Sequence, residues 1–293
     1  ISHPEFSGII GIGRADITPP PGIFARSWGS STHDVATGVH KPLYASCVMF
    51  RGSDDDLSVY LVSLDLSFWG NKEEWEIRSQ VLQRSGLAEK QLILHLSHTH
   101  SAPPTDLQNA GKPGGGLIQP WRDRIVAGAA NAIDEARNSA RESVMTWAYG
   151  TCKLAHNRDQ AVMETDELTT VVGLNLHDEA DDTLLVGRIV DVESNVRAVL
   201  VNYACHPVSL GGGNTEISPD YVGKMREVVE ANIAGGVCIF LHGASGDLTP
   251  RLSYASDPAI ADQNGLEIGY AVLETLASFL PPQSSLEFDR IEQ

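Results

Sequence analysis

Short runs of apolar and β-branched residues, separated by turn-forming residues, recur along the chain. Their length and their bounding residues are typical of strands rather than helices. We predict strands at residues 44–50, 58–64, 91–96, 144–149, 168–176, 184–192, 198–204 and 237–241.

Apolar positions at helical spacing predict helices between these runs. The first covers residues 71–84 and ends before Gly86, and the second covers residues 121–140. The apolar face of the second helix is predicted to consist of Ile125, Val126, Ala129 and Ile133.

Two further helices are predicted nearer the C-terminus. Ser218 as N-cap and Pro219 as first helical residue open one of them. The other covers about residues 264–280 and is stopped by Pro281 and Pro282. The inward face of the former is predicted to contain Val222, Met225, Val229 and Ile233.

Predicted strands outnumber predicted helices, and many strands follow one another directly along the chain. This order favours an α/β fold with mixed, largely antiparallel β-sheets flanked by helices, layered α-β-β-α, over a doubly wound parallel sheet. No repeat or linker divides the sequence, so we expect a single domain over residues 1–293.

Composition narrows the classes of function. Hydrophobic residues make up 42% of the 293 residues, and 21 Lys and Arg face 38 Asp and Glu, for a formal charge of −17. A chain this acidic is a poor binder of nucleic acid, and no apolar run reaches the roughly 20 residues of a membrane-spanning helix. The acids are dispersed apart from the run at residues 54–56. The cysteines are too widely spaced for a C-x-x-C site and lie in apolar contexts, which predicts core positions.

Two histidines lie in the segment at residues 97–101 (SHTHS), directly after the predicted strand at residues 91–96. Alternate residues of an extended chain point the same way, so His98 and His100 project together, about 7 Å apart along the backbone. Both imidazoles could bind a metal, or one could bind while the other handles protons. Surface histidines at a strand end remain the alternative.

Two later strands end in the same manner. One delivers His206 to a break made by Pro207, and the other ends at His242, with Asp247 and Thr249 close behind. Loops at strand ends of an α/β scaffold are where reactive groups are commonly placed. Three strands ending in histidine-containing loops together favour a metal-dependent hydrolase.

Other candidates carry less specific signals. Asp65 follows a predicted strand and could be a further metal ligand, a partner of a histidine, or a turn residue. Arg158 could bind a carboxylate or a developing oxyanion, or simply lie at the surface. The glycines at residues 11–13 lack the third glycine of a dinucleotide loop. No G-x-S-x-G elbow occurs, so a serine triad is a minor alternative.

Six motifs, in order, resemble the N-terminal catalytic region of the neutral, non-lysosomal ceramidase family. They are residues 11–21 (GIGRADITPPP), 97–103 (SHTHSAP), 157–158 (NR), 202–207 (NYACHP), 218–223 (SPDYVG) and 246–250 (GDLTP). The resemblance implies that His98 and His206 bind a catalytic zinc. It implies a proton-handling role for His100, a substrate-side contact for Arg158 and a hydroxyl near the scissile bond from Thr249.

The sequence departs from this family at several positions. Thr249 stands where members usually have serine, Ala102 where they have glycine, and Ala244 where they have asparagine. The family completes its zinc site with a Glu and a Tyr from beyond the last motif, and no counterpart is evident before Gln293. Either that part lies outside this sequence, or Asp65, Asp247 or a water takes its place.

The resemblance implies a zinc-dependent amide hydrolase that cleaves an N-acyl bond through a metal-activated water. Two alternatives stay open: a metal hydrolase of a small ester or non-lipid amide, and a non-catalytic binding protein on the same scaffold. The expected partner is a small-molecule or lipid-like amide. The sequence leaves the oligomeric state and the compartment open, with export compatible with an N-terminus that does not begin with Met.

Overall fold

The computed structural model describes residues 3–52, 57–164 and 167–280, and these form four α-helices and fourteen strands. The acidic run at residues 54–56 and the prolines at 281–282 lie outside the described residues. The helices are α1 (Asn71–Ser85), α2 (Ile118–Asn138), α3 (Tyr221–Glu230) and α4 (Pro258–Ala277), with short 3-10 helices at Glu89–Gln91, Leu107–Asn109 and Gly115–Leu117. The strands are β1 (Glu5–Asp16), β2 (Gly38–Val39), β3 (Tyr44–Gly52), β4 (Val59–Leu64), β5 (Leu92–Leu96), β6 (Arg141–Thr151), β7 (Ala155–Asn157), β8 (Asp159–Glu164), β9 (Glu167–Val172), β10 (Thr183–Asp191), β11 (Val196–Tyr203), β12 (Glu216–Ile217), β13 (Val237–His242) and β14 (Leu248–Pro250).

Eight of these strands form one mixed sheet in the order β13-β11-β10-β6-β1-β3-β4-β5. Its outermost pairs, β11 with β13 and β4 with β5, are parallel, and the pairs between them are antiparallel. The carboxyl ends of the parallel strands carry the loops with the candidate histidines.

The sheet curls until its two ends meet. Ser63 of β4 donates a hydrogen bond of 2.7 Å to the carbonyl of Phe240 in β13, although these strands stand near opposite ends of the sheet order. Ile10, Val48, Leu200 and Ile239 pack between the two inner faces. Sheet therefore packs on sheet in the middle of the molecule.

Helices cover both outer faces of the curled sheet. α1 and α2 pack on the half formed by β1, β3, β4 and β5, whereas α3 and α4 pack on the half formed by β10, β11 and β13. This arrangement confirms the predicted fold class, a mixed α/β fold layered α-β-β-α. All four cysteines are buried and free, as their apolar contexts predicted.

The sequence pattern predicts no strand over residues 5–16, yet β1 lies near the centre of the sheet. Its glycines let α2 approach closely. A Cβ added at Gly11 would lie 1.8 Å from the Ala136 carbonyl oxygen, and one at Gly13 would lie 2.1 Å from that of Ala132. The missing side chains weaken the strand signal and at the same time explain how the helix packs.

The start of α3 differs from the prediction. The N-cap is Asp220 rather than Ser218, because the Asp220 carboxylate accepts a hydrogen bond from the Tyr221 amide. Pro219 precedes the helix instead of opening it. The predicted inward residues Val222, Met225 and Val229 are buried in α3, whereas Ile233 is buried but lies after the helix, which ends at Glu230. The last helix begins earlier than predicted, at Pro258 behind the N-cap Asp257.

Among the described residues, no helix has both the length and the apolar character that crossing a membrane requires.

Candidate metal centre

Three histidines from two separate loops converge where the ends of the sheet meet. His98 and His100 follow β5, and His206 follows β11. Their possible ligand atoms all lie within 4.8 Å of one another. The geometry thus brings together the histidines that the sequence singled out on different strands.

His98 is held in an unusual backbone conformation. Its φ of 67° places a residue with a side chain in the left-handed region, which is sparsely populated for residues other than glycine. The amide of His98 donates to the carbonyl of Leu66, and the amide of Ser97 donates to that of Leu64. These bonds to the last residue of β4 and to the segment just after it turn the chain so that the imidazole points into the cluster. Such backbone strain is typical of functional sites.

Backbone carbonyls determine which ring nitrogen of His98 and His206 carries the hydrogen. Nδ1 of His98 lies 2.7 Å from the Ser67 carbonyl oxygen, and Nδ1 of His206 lies 2.6 Å from that of Ser245. A carbonyl only accepts, so each Nδ1 must donate, and each Nε2 of the neutral ring presents a lone pair.

The two Nε2 atoms of His98 and His206 lie 3.0 Å apart. Two lone pairs at this distance repel each other unless a cation lies between them. A tetrahedral zinc ion, with Zn–N bonds of about 2.0–2.1 Å, separates its nitrogen ligands by about 3.3 Å. The donor set and its spacing therefore fit a metal ion.

His100 differs from the other two histidines. Its Nε2 lies 3.3 Å from Nε2 of His98, but its buried Nδ1 has no hydrogen-bond partner among the described residues. No carbonyl therefore fixes its tautomer, and Nε2 is able to carry a hydrogen. Trp28 packs edge-on against the ring, with centroids 5.0 Å apart.

Burial keeps the cluster uncharged. It is the main cause that lowers the pKa of His100 to about 3 and that of His206 to about 4, from an ordinary value near 6.5. The positive charge of Arg158 lowers both pKa values further. Burial also lowers the pKa of His98. Neutral imidazole is the form that binds a metal.

Arg158 borders the cluster. Its Nη2 lies 3.4 Å from Nε2 of His206, and its Nε and Nη2 donate to the carbonyl of Gly246 at 3.0 Å and 2.7 Å. Its Nη1 lies 3.4 Å from the hydroxyl of Tyr254. The guanidinium is thus fixed beside the histidines, where it can stabilise negative charge.

The other predicted site residues lie elsewhere. Asp65 is fully buried and forms a two-point ion pair with Arg226, with N–O distances of 2.6 Å and 2.7 Å. Both carboxylate oxygens are therefore engaged, which argues against the metal-ligand role predicted for Asp65. Asp247 is exposed, and its carboxylate accepts a 3.4 Å hydrogen bond from Asn157. It is absent from the histidine cluster.

Thr249 lies in β14, opposite His156 of β7. It is 3% exposed, and its hydroxyl has no hydrogen-bond partner among the described residues. Its predicted role beside the scissile bond stays a prediction.

His242 adds a fourth imidazole to which the sequence assigned no role. Its ring stacks on that of His98 with centroids 5.1 Å apart, and its Nε2 lies 2.6 Å from the hydroxyl of Ser245. The same hydroxyl lies 3.0 Å from Nδ1 of His206. The sequence signal for His242 was its position at the end of an apolar strand, which it shares with the other histidines. No sequence signal placed Trp28 or Tyr254 at the site, because only the tertiary fold brings them there.

Comparisons with known proteins identify relatives of this chain. Two curated relatives are neutral ceramidases: that of Drosophila pseudoobscura pseudoobscura is 25% identical over 241 residues, and that of Drosophila melanogaster is 23% identical over 239 residues. Each alignment covers 75% of this chain and 32% of the relative. The chain therefore spans about a third of the length of these relatives.

Solved structures share the fold. A ceramidase complexed with C2 has a TM-score of 0.75 at 18% identity, over 94% of this chain and 44% of that one. The neutral ceramidase from Pseudomonas aeruginosa has a TM-score of 0.74 at 19% identity, over 95% and 45% of the two chains.

The family model described as neutral/alkaline non-lysosomal ceramidase, N-terminal, matches residues 9–264. This match confirms the resemblance predicted from the six motifs. The chain belongs to the neutral/alkaline non-lysosomal ceramidase family.

Proposed function

We propose that this protein is a zinc-dependent hydrolase of the amide bond in an N-acylated, ceramide-like lipid. The observation that supports it best is the pair of Nε2 lone pairs on His98 and His206, which face each other at 3.0 Å in a neutral, partly buried cluster. Membership of the ceramidase family supports the lipid amide as substrate class.

His98 and His206 would hold the metal, because backbone carbonyls direct both Nε2 atoms inward. Bound zinc supplies Lewis-acid chemistry, polarising an amide carbonyl and making water an effective nucleophile near neutral pH. Asp65 and Asp247 are left out of this ligand set.

His100 would move the proton. Its ring is neutral, its tautomer is not fixed by a carbonyl, and Trp28 holds it against the cluster. A neutral imidazole can take a proton from the attacking water and return it to the leaving amine. Arg158 would stabilise the negative charge that develops on the amide oxygen, since its guanidinium is anchored by Gly246 and Tyr254.

Metal analysis of single variants tests the proposed ligands. We expect His98→Ala and His206→Ala to lose bound zinc, and His100→Ala to keep zinc but lose at least about a hundredfold in turnover. His177→Ala, at an exposed position, is the matched control and should change neither quantity. Unchanged zinc content in both ligand variants would contradict the proposal.

A substrate panel separates the proposed function from its alternatives. A long-chain acyl amide of a sphingoid base should be hydrolysed faster than short-chain acyl amides and esters. Preference for the short-chain compounds would indicate a different hydrolase. A protein that binds zinc weakly and hydrolyses nothing in the panel would be a binding protein on the same scaffold.

A further inference from the structure

The proposed metal ligands lie on segments without regular secondary structure. His98 lies in the turn after β5, and His206 lies in the segment between β11 and β12. Such segments cannot rely on helix or sheet hydrogen bonds to fix their spacing, so other groups must satisfy their backbone. The stretch from Ser218 to Tyr221, which leads into the first residue of α3, provides these contacts.

Asp220 binds the segment that carries His206. Its buried carboxylate accepts hydrogen bonds from the amides of Ser209 at 3.2 Å, Leu210 at 3.0 Å and Tyr221 at 2.7 Å. On the other side of His206, the hydroxyl of Tyr221 donates to the carbonyl of Cys205 at 2.5 Å. The chain is therefore held on both sides of this histidine.

The same stretch binds the turn that carries His98 and His100. The hydroxyl of Thr99 donates to the carbonyl of Ser218 at 2.7 Å, and the amide of Ser218 donates to the carbonyl of Ser101 at 3.1 Å. The hydroxyl of Ser218 accepts a hydrogen bond from the amide of Asp220. One short stretch thus joins both histidine-bearing segments.

The backbone of Asp220 is strained. Its φ of 58° and ψ of −148° fall in a region almost confined to glycine, although an N-cap residue ordinarily adopts an extended conformation. Capping α3 alone does not require this conformation. The strained backbone directs the carboxylate so that it accepts hydrogen bonds from the amides of Ser209 and Leu210 as well as from the first amide of α3.

We propose that Asp220 is a positioning residue that sets the separation of His98 and His206 and thereby the affinity for the metal. This inference rests on the proposed metal site. Asp220 forms no hydrogen bond with either histidine and acts through the backbone amides of Ser209 and Leu210.

The test compares isosteric substitutions of two helix-capping aspartates. Asp220→Asn removes the negative charge that binds the segment carrying His206. Asp257→Asn removes the carboxylate that caps α4 by accepting a hydrogen bond from the Ala259 amide. Zinc affinity, measured by competition with a chelator, should fall about 10- to 100-fold in D220N, as for other groups that orient metal ligands. It should stay within about threefold in D257N, and the absorption spectrum of bound Co²⁺ should change in D220N alone.

Two further variants separate positioning from stability. Asp220→Gly relieves the backbone strain but lacks the carboxylate, so it should bind zinc as weakly as D220N whatever its unfolding temperature. Tyr221→Phe leaves α3 intact and removes the hydroxyl that binds Cys205, and it should also weaken zinc binding. Wild-type affinity in D220N and D220G would overturn the proposal.

A crystal structure of D220N distinguishes failure of this inference from failure of the proposed function. If the wild-type protein binds no zinc, the proposed function fails, but the separation of the Nε2 atoms of His98 and His206 should still be greater in D220N than in the wild-type crystal and unchanged in D257N. An unchanged separation in D220N would overturn the positioning role by itself.

Discussion

Replacing Asp65 by asparagine should destabilise the protein and leave unchanged the zinc content that the proposed function predicts. Asp65 and Arg226 are buried, with side-chain exposures of 0% and 4%. The carboxylate also accepts a hydrogen bond of 2.9 Å from the amide of Tyr44. Asp65→Asn keeps the shape of the side chain but leaves the guanidinium of Arg226 without its counter-charge.

The size of the effect follows from the geometry. Charge centres about 4 Å apart attract by about 4 kcal/mol at an effective dielectric constant near 20. Removal of one partner of a buried ion pair typically costs about 3–5 kcal/mol, because the other charge stays buried and uncompensated. We therefore expect a loss of this size, against a total unfolding free energy of about 5–15 kcal/mol for most domains.

Urea unfolding followed by tryptophan fluorescence measures the loss, with zinc content determined on the same samples. Asp134→Asn is the matched control, because its partner Arg137 and Asp134 itself are 34% and 58% exposed, and such pairs contribute less than about 1 kcal/mol. Loss of zinc with little change in unfolding free energy would refute the reasoning and restore Asp65 as a metal ligand.

Three further predictions concern the packing of β1 against α2, the pH dependence of stability and the hydroxyl of Thr249. Gly11→Ala should destabilise the protein by about 1–3 kcal/mol or more, because the new Cβ meets the backbone of α2 at Ala136, and a thermal midpoint equal to wild type would contradict this packing. Burial lowers the pKa of His95 in the folded protein, so at acidic pH the unfolded chain binds a proton at this residue more readily than the folded protein does. The free energy of unfolding should therefore fall as the pH drops below about 6.5. His95→Gln should reduce this slope by up to one proton, and identical slopes would show that His95 does not contribute. Thr249→Val should leave stability unchanged or slightly higher, since the hydroxyl has no partner among the described residues, whereas a loss of turnover would support its predicted contact with substrate.

Local sequence was sufficient to locate most elements of the fold. Helices α1 and α2 and the strands that bear the histidines were predicted within a few residues, since their apolar periodicity and turn residues are local properties. Strand β1 was missed for a tertiary reason. Its glycines have no side chains to produce an apolar strand pattern. The reason for them is the close approach of α2, which only the folded structure shows.

Charged residues show the limit of local reasoning most clearly. Asp65 directly follows a strand, as a metal ligand could, and nothing nearby in the sequence distinguishes that role from an ion pair. Its partner Arg226 lies 161 residues away along the chain. Pairing at this distance depends on how α3 docks on the sheet, which no local pattern encodes.

The sequence by itself determined which side chains could form the site: His98, His100 and His206, each just beyond an apolar strand, with Arg158 in a separate motif. Tertiary structure decided where those side chains lie and which atoms they present to one another. The curl of the sheet brings the strand ends together, and the carbonyls of Ser67 and Ser245 direct the two Nε2 atoms inward. Coordination depends on the position and direction of lone pairs to within a few tenths of an ångström, and only contacts between distant segments define positions that closely.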